Sequence, residues 1–146
     1  MTHQVALTIS GKVPRSRCGE LEALLEAMAK DPGGNRVVPF SRLPHAHFAR
    51  VVLLEPTPGS SEATLLMTLD CDASVTERLE ELARIAGTGL DDLLGFCDDY
   101  PASPDHSSRL AFLRSHLRRS TVFYVHAVGR TLPQVRMRRG CAERSR

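Results

Sequence analysis

The chain is poor in aromatic residues and has no long apolar run. Its 146 residues include no tryptophan, two tyrosines and five phenylalanines. A surface that stacks nucleic-acid bases on aromatic rings is therefore not expected. No stretch reaches the roughly 18 apolar residues that a transmembrane helix needs, and the first residues lack the pattern of a signal peptide. We expect a cytoplasmic protein that makes no contact with a membrane.

Closely spaced cysteines are also lacking. The four cysteines, Cys18, Cys71, Cys97 and Cys141, include no CxxC pair, so neither a zinc knuckle nor a thioredoxin motif is indicated. We expect reduced thiols, with Cys71 and Cys97 acting as small core residues. Two acids follow Cys97 and should raise its pKa, which argues against a nucleophilic thiolate there.

The charges are unevenly spread, although the net charge is only +2. Residues 1–108 hold nine basic and 16 acidic side chains, whereas residues 109–146 hold ten arginines and one acid. This basic end could contact nucleic acid or an acidic partner. It could equally dock on the acidic part of its own chain or on a partner subunit. Six of the arginines follow the last predicted strand: Arg130, Arg136, Arg138, Arg139, Arg144 and Arg146.

Hydrophobic periodicity predicts the elements. Val5, Leu7 and Ile9 alternate with small or polar residues, which predicts a strand at 4–10. The sequence from Ser74 to Glu77 has the form of a capping box and predicts the start of a helix. The same reasoning predicts further strands at 46–54, 63–69 and 121–128, and helices around 20–29, 74–86, 90–96 and 108–118, with a last helix beginning near 131.

This order predicts an α+β domain over residues 1–130, followed by an Arg-rich helix or tail over 131–146. Two β-α-β halves joined by a hairpin make the ferredoxin-like βαββαβ arrangement, here with extra helices. The second and fourth strands are apolar on both faces, so a second sheet should cover the face that the helices leave. A second copy of the chain is the simplest source, giving a homodimeric α/β barrel. Thr8, Thr68 and Asp70 would then line a partly enclosed cavity that could bind a ligand.

Two histidines and an arginine near the second strand are the main catalytic candidates. His45 and His47 could be metal or haem ligands, or structural histidines at a strand entrance. His47 is the best general-base candidate, because imidazole titrates near neutral pH. Arg50 lies in an apolar strand and needs either a carboxylate partner, Asp70 or Asp72, or an anionic ligand.

The last predicted strand adds a catalytic and a ligand-binding candidate. Tyr124 and His126 share one of its faces and could donate hydrogen bonds into the cavity. A tyrosine that is simply part of the core, with its hydroxyl at the rim, is the commoner arrangement.

Several segments, taken in order, resemble a bacterial family of ferredoxin-like proteins that pair as dimeric α/β barrels. They span residues 39–130 and are Pro39–Pro44, His47–Arg50, Leu69–Asp72, Gly89–Asp91, Gly95–Pro101, Val122–Val125 and Gly129–Arg130. The fold that this resemblance implies is similar to that of small monooxygenases and haem-binding barrel proteins. Such a likeness does not fix the function.

Two functions follow as expectations. The first is a homodimer that binds a small, partly apolar molecule and is either a cofactor-independent or a haem-assisted oxygenase. Here His47 is base or ligand, Arg50 orients an anion, and Tyr124 or Asp70 adds hydrogen bonds. The second is a non-enzymatic interaction or regulatory module that uses the arginine-rich end.

Overall fold

The computed structural model describes residues 3–120, which form one antiparallel sheet and four α-helices. The α+β class is therefore confirmed. The strands are β1 (Gln4–Pro14), β2 (Ala46–Leu54), β3 (Glu62–Asp72) and β4 (Leu117–Arg118). The helices are α1 (Cys18–Ala29), α2 (Val75–Ala86), α3 (Thr88–Leu94) and α4 (His106–Ser115). Single 3₁₀ turns lie at Arg15–Arg17 and Phe40–Arg42.

The strands follow the order β2-β3-β1-β4, and all neighbours are antiparallel. The β1–β3 pair is the longest pairing among the described strands. Its register has no interruption, from Gln4 opposite Asp72 to Pro14 opposite Glu62. A short β4 adds Leu117 and Arg118 to the other edge of β1. Segments that are far apart in the sequence thus pair in a fixed register, and this register determines which side chains are neighbours on the sheet.

Alternating side chains of β1 and β3 form one wall of a single core. Leu7, Ile9 and Val13 of β1 and Leu65 and Met67 of β3 are at most 1% exposed. The helices supply the other wall with Leu21, Met28, Leu79, Leu82, Leu90, Leu93, Leu110, Phe112 and Leu113. Each such side chain contributes roughly 1.5–3 kcal/mol when fully buried, so this face of the sheet holds the fold together.

β1 and β3 are longer than the alternation predicted. The strand predicted at 4–10 continues to Pro14, so Gly11 lies inside β1 and is buried. A Cβ at this position would lie 2.5 Å from the Cys97 sulfur. The glycine is therefore required by close packing of Cys97 on the strand, not by a turn.

The region before β4 also differs from the prediction. α4 begins at His106, because Asp105 caps it: the Asp105 carboxylate accepts from Ser108 N at 2.7 Å, and Asp105 N donates to Ser108 Oγ at 2.8 Å. The helix ends at Ser115, and Ser10 N then donates to the His116 carbonyl at 3.2 Å. The strand predicted at 121–128 and the tail at 131–146 lie outside the described residues.

Within residues 3–120, no helix is long and apolar enough to cross a membrane.

Candidate functional site

A bulge in β2 decides which side chains leave the core. Ala46 lies opposite Cys71 and Phe48 lies opposite Asp70, so His47 is an extra residue in the strand. Such a bulge re-aims the side chains around it. As a result Ala49, Val51 and Leu53 pack against the core, while Phe48, Arg50, Val52 and Leu54 point to the opposite face.

We call that opposite face of β1–β4 the open face. Phe48 and Leu54 are 54% and 46% exposed there, and neither these two nor Val52 and Leu66 pack against the core among the described residues. Large apolar groups at such exposure mark interaction or ligand sites when they cluster.

The register sets a polar row across the middle of the open face. Arg50 lies opposite Thr68, Thr68 opposite Thr8, and Thr8 opposite Arg118. The row thus has two threonines at its centre and an arginine on each outer strand, about 14 Å apart at a strand spacing of roughly 4.8 Å. The neighbouring row consists of Phe48, Asp70 and Ala6. The predicted ligand-lining residues Thr8, Thr68 and Asp70 therefore share one face and are partly buried.

At one end of the open face, Asp72 holds both predicted histidines. His47 Nε2 lies 2.8 Å from Asp72 Oδ1, and His45 Nδ1 lies 3.1 Å from Oδ2. The Asp72 side chain is 2% exposed, against 19% for His47 and 34% for His45. Both carboxylate oxygens thus bond to imidazole, and both rings remain reachable from solvent.

Arg50 was predicted to be buried and so to need Asp70, Asp72 or an anionic ligand, and the predicted burial is wrong. Arg50 is exposed on the open face, and its guanidinium carbon lies 5.7 Å from the centroid of the Phe48 ring. Asp72 is engaged by the histidines instead. The cause is the bulge, which turns Arg50 away from the core and so removes the need for a buried counter-ion.

Tyr124 and His126 lie outside the described residues, as do the six arginines from Arg130 onward. Three earlier arginines are placed on the body of the protein. Arg109 pairs with Asp91, Arg114 lies 3.7 Å from Glu80, and Arg118 donates to Ser10 Oγ at 3.0 Å.

A second carboxylate cluster, which was not predicted from the sequence, is built on Asp91 of α3. Arg109 donates to it twice, from Nε at 2.8 Å and Nη2 at 2.7 Å, and the Tyr100 hydroxyl donates at 2.5 Å. The hydrogen bonds from Arg109 lower the pKa of Asp91. Burial, followed by the hydrogen bond to Asp91, raises the pKa of Tyr100 above its usual range. This cluster joins α3, α4 and the segment between them.

The two described core cysteines are not candidates for nucleophiles. Burial raises the pKa of Cys97 to about 12, and Asp99 and Asp98 add to the shift, in the direction expected from the sequence. Burial likewise raises the pKa of Cys71 to about 12. Both thiols stay protonated at neutral pH.

A recess of about 400 Å³ adjoins the Arg118 end of the polar row. It is lined by Val5, Ala6, Leu7, Val75, Leu117, Arg118, Arg119 and Ser120.

No protein-family model, curated protein or solved structure matches the chain. The residues of the site are therefore the basis for any statement about function.

Proposed function

We propose that the protein binds a small, partly apolar anion on the open face, and that two copies pair across this face as a dimeric α/β barrel. The row Arg50–Thr68–Thr8–Arg118 carries the proposal. It offers two guanidinium groups that can bind an anion, two hydroxyl groups for orientation and the neighbouring Phe48 ring for apolar contact. A combination of apolar lining and few polar groups is typical of ligand sites.

The strand order supports the ferredoxin-like part of this proposal. β3 lies between β1 and β2, and β1 lies between β3 and β4. The two strands of each half of the chain are therefore separated by one strand of the other half. Helix α1 makes the first return, and the α2–α4 region makes the second. These connections support the proposed split β-α-β arrangement.

The composition of the open face supports pairing with a second copy. Phe48 and Leu54 leave large apolar surface exposed on one strand. Arg50 and Asp70 carry opposite charges in adjacent rows of the same face. A two-fold axis brings a surface onto itself, so a patch with both apolar groups and both signs of charge can be self-complementary.

We propose cofactor-independent oxygenation of the bound molecule by dioxygen as the reaction class. Asp72 bonds to Nε2 of His47 and to Nδ1 of His45. Both imidazole rings are thereby held beside the open face, where each can act as a general base on the bound molecule.

The test uses Phe48→Glu and Arg50→Gln, with Ala111→Glu as a matched control on the exposed surface of α4. Light scattering measures the mass, and fluorescence of anilinonaphthalene sulfonate, an apolar anion, reports binding. We expect a dimer and bright dye in the wild type and in Ala111→Glu. Phe48→Glu should give monomers, and Arg50→Gln should weaken dye binding about ten-fold, as expected when one hydrogen bond to a charged group is lost.

A wild-type mass of one chain would contradict the dimer, and dye binding that both open-face variants retain would contradict the ligand site. Both results together would favour the interaction module with its arginine-rich end. That alternative predicts partner binding that weakens steeply with salt.

A further inference from the structure

We propose that His45, Asp72 and His47 form a proton-transfer site, in which one carboxylate holds two imidazole rings and leaves a different nitrogen of each ring as a base. This deepens the proposed function and rests on it only for the nature of the substrate, a small acidic molecule bound on the open face. The arrangement of the three side chains stands independently of dimer formation.

The hydrogen bonds define the protonation of each ring. An ionised carboxylate only accepts hydrogen bonds, so both rings must donate to it. His45 therefore carries its proton on Nδ1, and His47 carries its proton on Nε2. In the neutral rings, His45 Nε2 and His47 Nδ1 are then the unprotonated atoms, which can accept a proton from a bound molecule.

Burial of the carboxylate makes it an orienting group. Asp72 is 2% exposed, and its backbone is held as well, since Asp72 N donates to the His45 carbonyl at 3.0 Å. A carboxylate fixed behind an imidazole keeps the ring in one tautomer and orientation, and it stabilises the imidazolium that forms when the ring takes up a proton.

The site lies where a ligand on the open face could reach it. Asp72 follows Asp70 by two residues on the same face of β3, a step of about 7 Å along a strand. Asp70 belongs to the row that contains Phe48. The bulge at His47 brings that ring to Asp72 and at the same time places Phe48 on the open face. The His47 ring, as a base, is therefore next to the apolar surface that Phe48 contributes to the open face.

A metal centre is the competing interpretation of two histidines and an aspartate. Among residues 3–120, no group of three His, Cys, Asp or Glu side chains is arranged to hold a metal ion. Here Asp72 bonds to a nitrogen of each ring, so its oxygens face the imidazoles and not a shared metal position. The geometry favours proton transfer.

The experiment uses 5-nitrobenzisoxazole, a carbon acid that tests for a base beside an apolar surface. A ring nitrogen takes the proton from carbon, the C–H electron pair completes the nitrile, and the N–O bond breaks to give a coloured cyanonitrophenolate. No other reactant is needed. The variants are His45→Ala, His47→Ala, their double, and Asp72→Asn. His106→Gln, at the exposed start of α4, is the control.

We expect wild type and His106→Gln to react at the same rate, about 100-fold above the double variant, since a positioned base contributes on the order of 10²–10⁴-fold. Asp72→Asn should react about ten-fold more slowly than wild type. In ¹⁵N NMR spectra, wild-type His45 and His47 should show the Nδ1–H and Nε2–H tautomers, respectively, and Asp72→Asn should mix them.

Equal rates in the wild type and the double variant would overturn the proposal. So would tautomers that Asp72→Asn leaves unchanged. Failure of the proposed function is a separate result: Phe48→Glu and Arg50→Gln would then leave mass and dye binding unaltered, whatever the elimination rate.

Discussion

Asp72 and Asp91 each hold two partners from other parts of the chain, but the partners differ in chemistry. Asp91 binds Arg109, which is always protonated, and Tyr100, whose pKa is raised. Asp72 binds two imidazole rings, each of which has a second ring nitrogen. The Asp91 cluster ties helices together, whereas the Asp72 cluster lies at the end of a strand beside the open face. Similar hydrogen-bond geometry thus stabilises the fold around Asp91, whereas around Asp72 we propose that it positions bases.

The largest expected effect is the loss of the cation in the Asp91 cluster. Arg109→Met leaves the Asp91 carboxylate, 19% exposed, without its two charged hydrogen bonds. The free energy of unfolding should fall by about 2–3 kcal/mol. Urea denaturation measures this change in the free energy of unfolding. The matched control is Arg114→Met, which removes an exposed pair at 3.7 Å and should change stability by less than about 0.5 kcal/mol. Equal effects of the two variants would show that Asp91 has no special role.

The same cluster should make stability depend on acid. The pKa of Asp91 is lowered in the folded protein from an ordinary value of 3.8. Its contribution is therefore present above about pH 4 and is lost as the pH falls through the lowered value. The stability difference between wild type and Arg109→Met should shrink correspondingly below pH 4. A difference that stays constant from pH 7 to pH 2 would contradict this linkage.

A much smaller effect on stability is expected at Asp72 than at the Asp91 cluster. Asp72→Asn removes a buried charge, and each neutral histidine can change tautomer so that it pairs with either end of the amide. The free energy of unfolding should change by less than about 1 kcal/mol, well below the effect of Arg109→Met, while the elimination rate falls. A loss as large as that in Arg109→Met would place Asp72 among the residues that hold the fold, and the comparison would fail.

Local patterns in the sequence predicted much of the fold. The apolar run at 46–54 has the bounds of β2, and Ser74 caps α2 with its side chain, which accepts from Glu77 N. Thr8, Thr68 and Asp70 share a face, as alternation along β1 and β3 predicted. These features depend on neighbours in the chain, and the side-chain period of two alone decides the face.

The features that the sequence did not predict arise from contacts between distant segments. The extension of β1 through Gly11 depends on the Cys97 sulfur that packs against this glycine and comes from another part of the chain. The sequence shows Arg109 only as the first arginine of the basic C-terminal segment. Its pairing with Asp91, 18 residues earlier on another helix, depends on how the helices pack. The bulge at His47 could not be predicted from β2, whose two faces are both largely apolar.

The bulge at His47 determines which face of the sheet each later side chain of β2 occupies. If β2 were regular, His47 would take the place opposite Asp70, and every later side chain of β2 would move to the other side of the sheet. Phe48 and Arg50 would then be directed at the helices, and Ala49, Val51 and Leu53 would form the outer surface. A strand with two apolar faces tolerates such an inversion better than most strands, apart from the charge of Arg50. One inserted amino acid therefore decides which of two surfaces this protein presents to its surroundings.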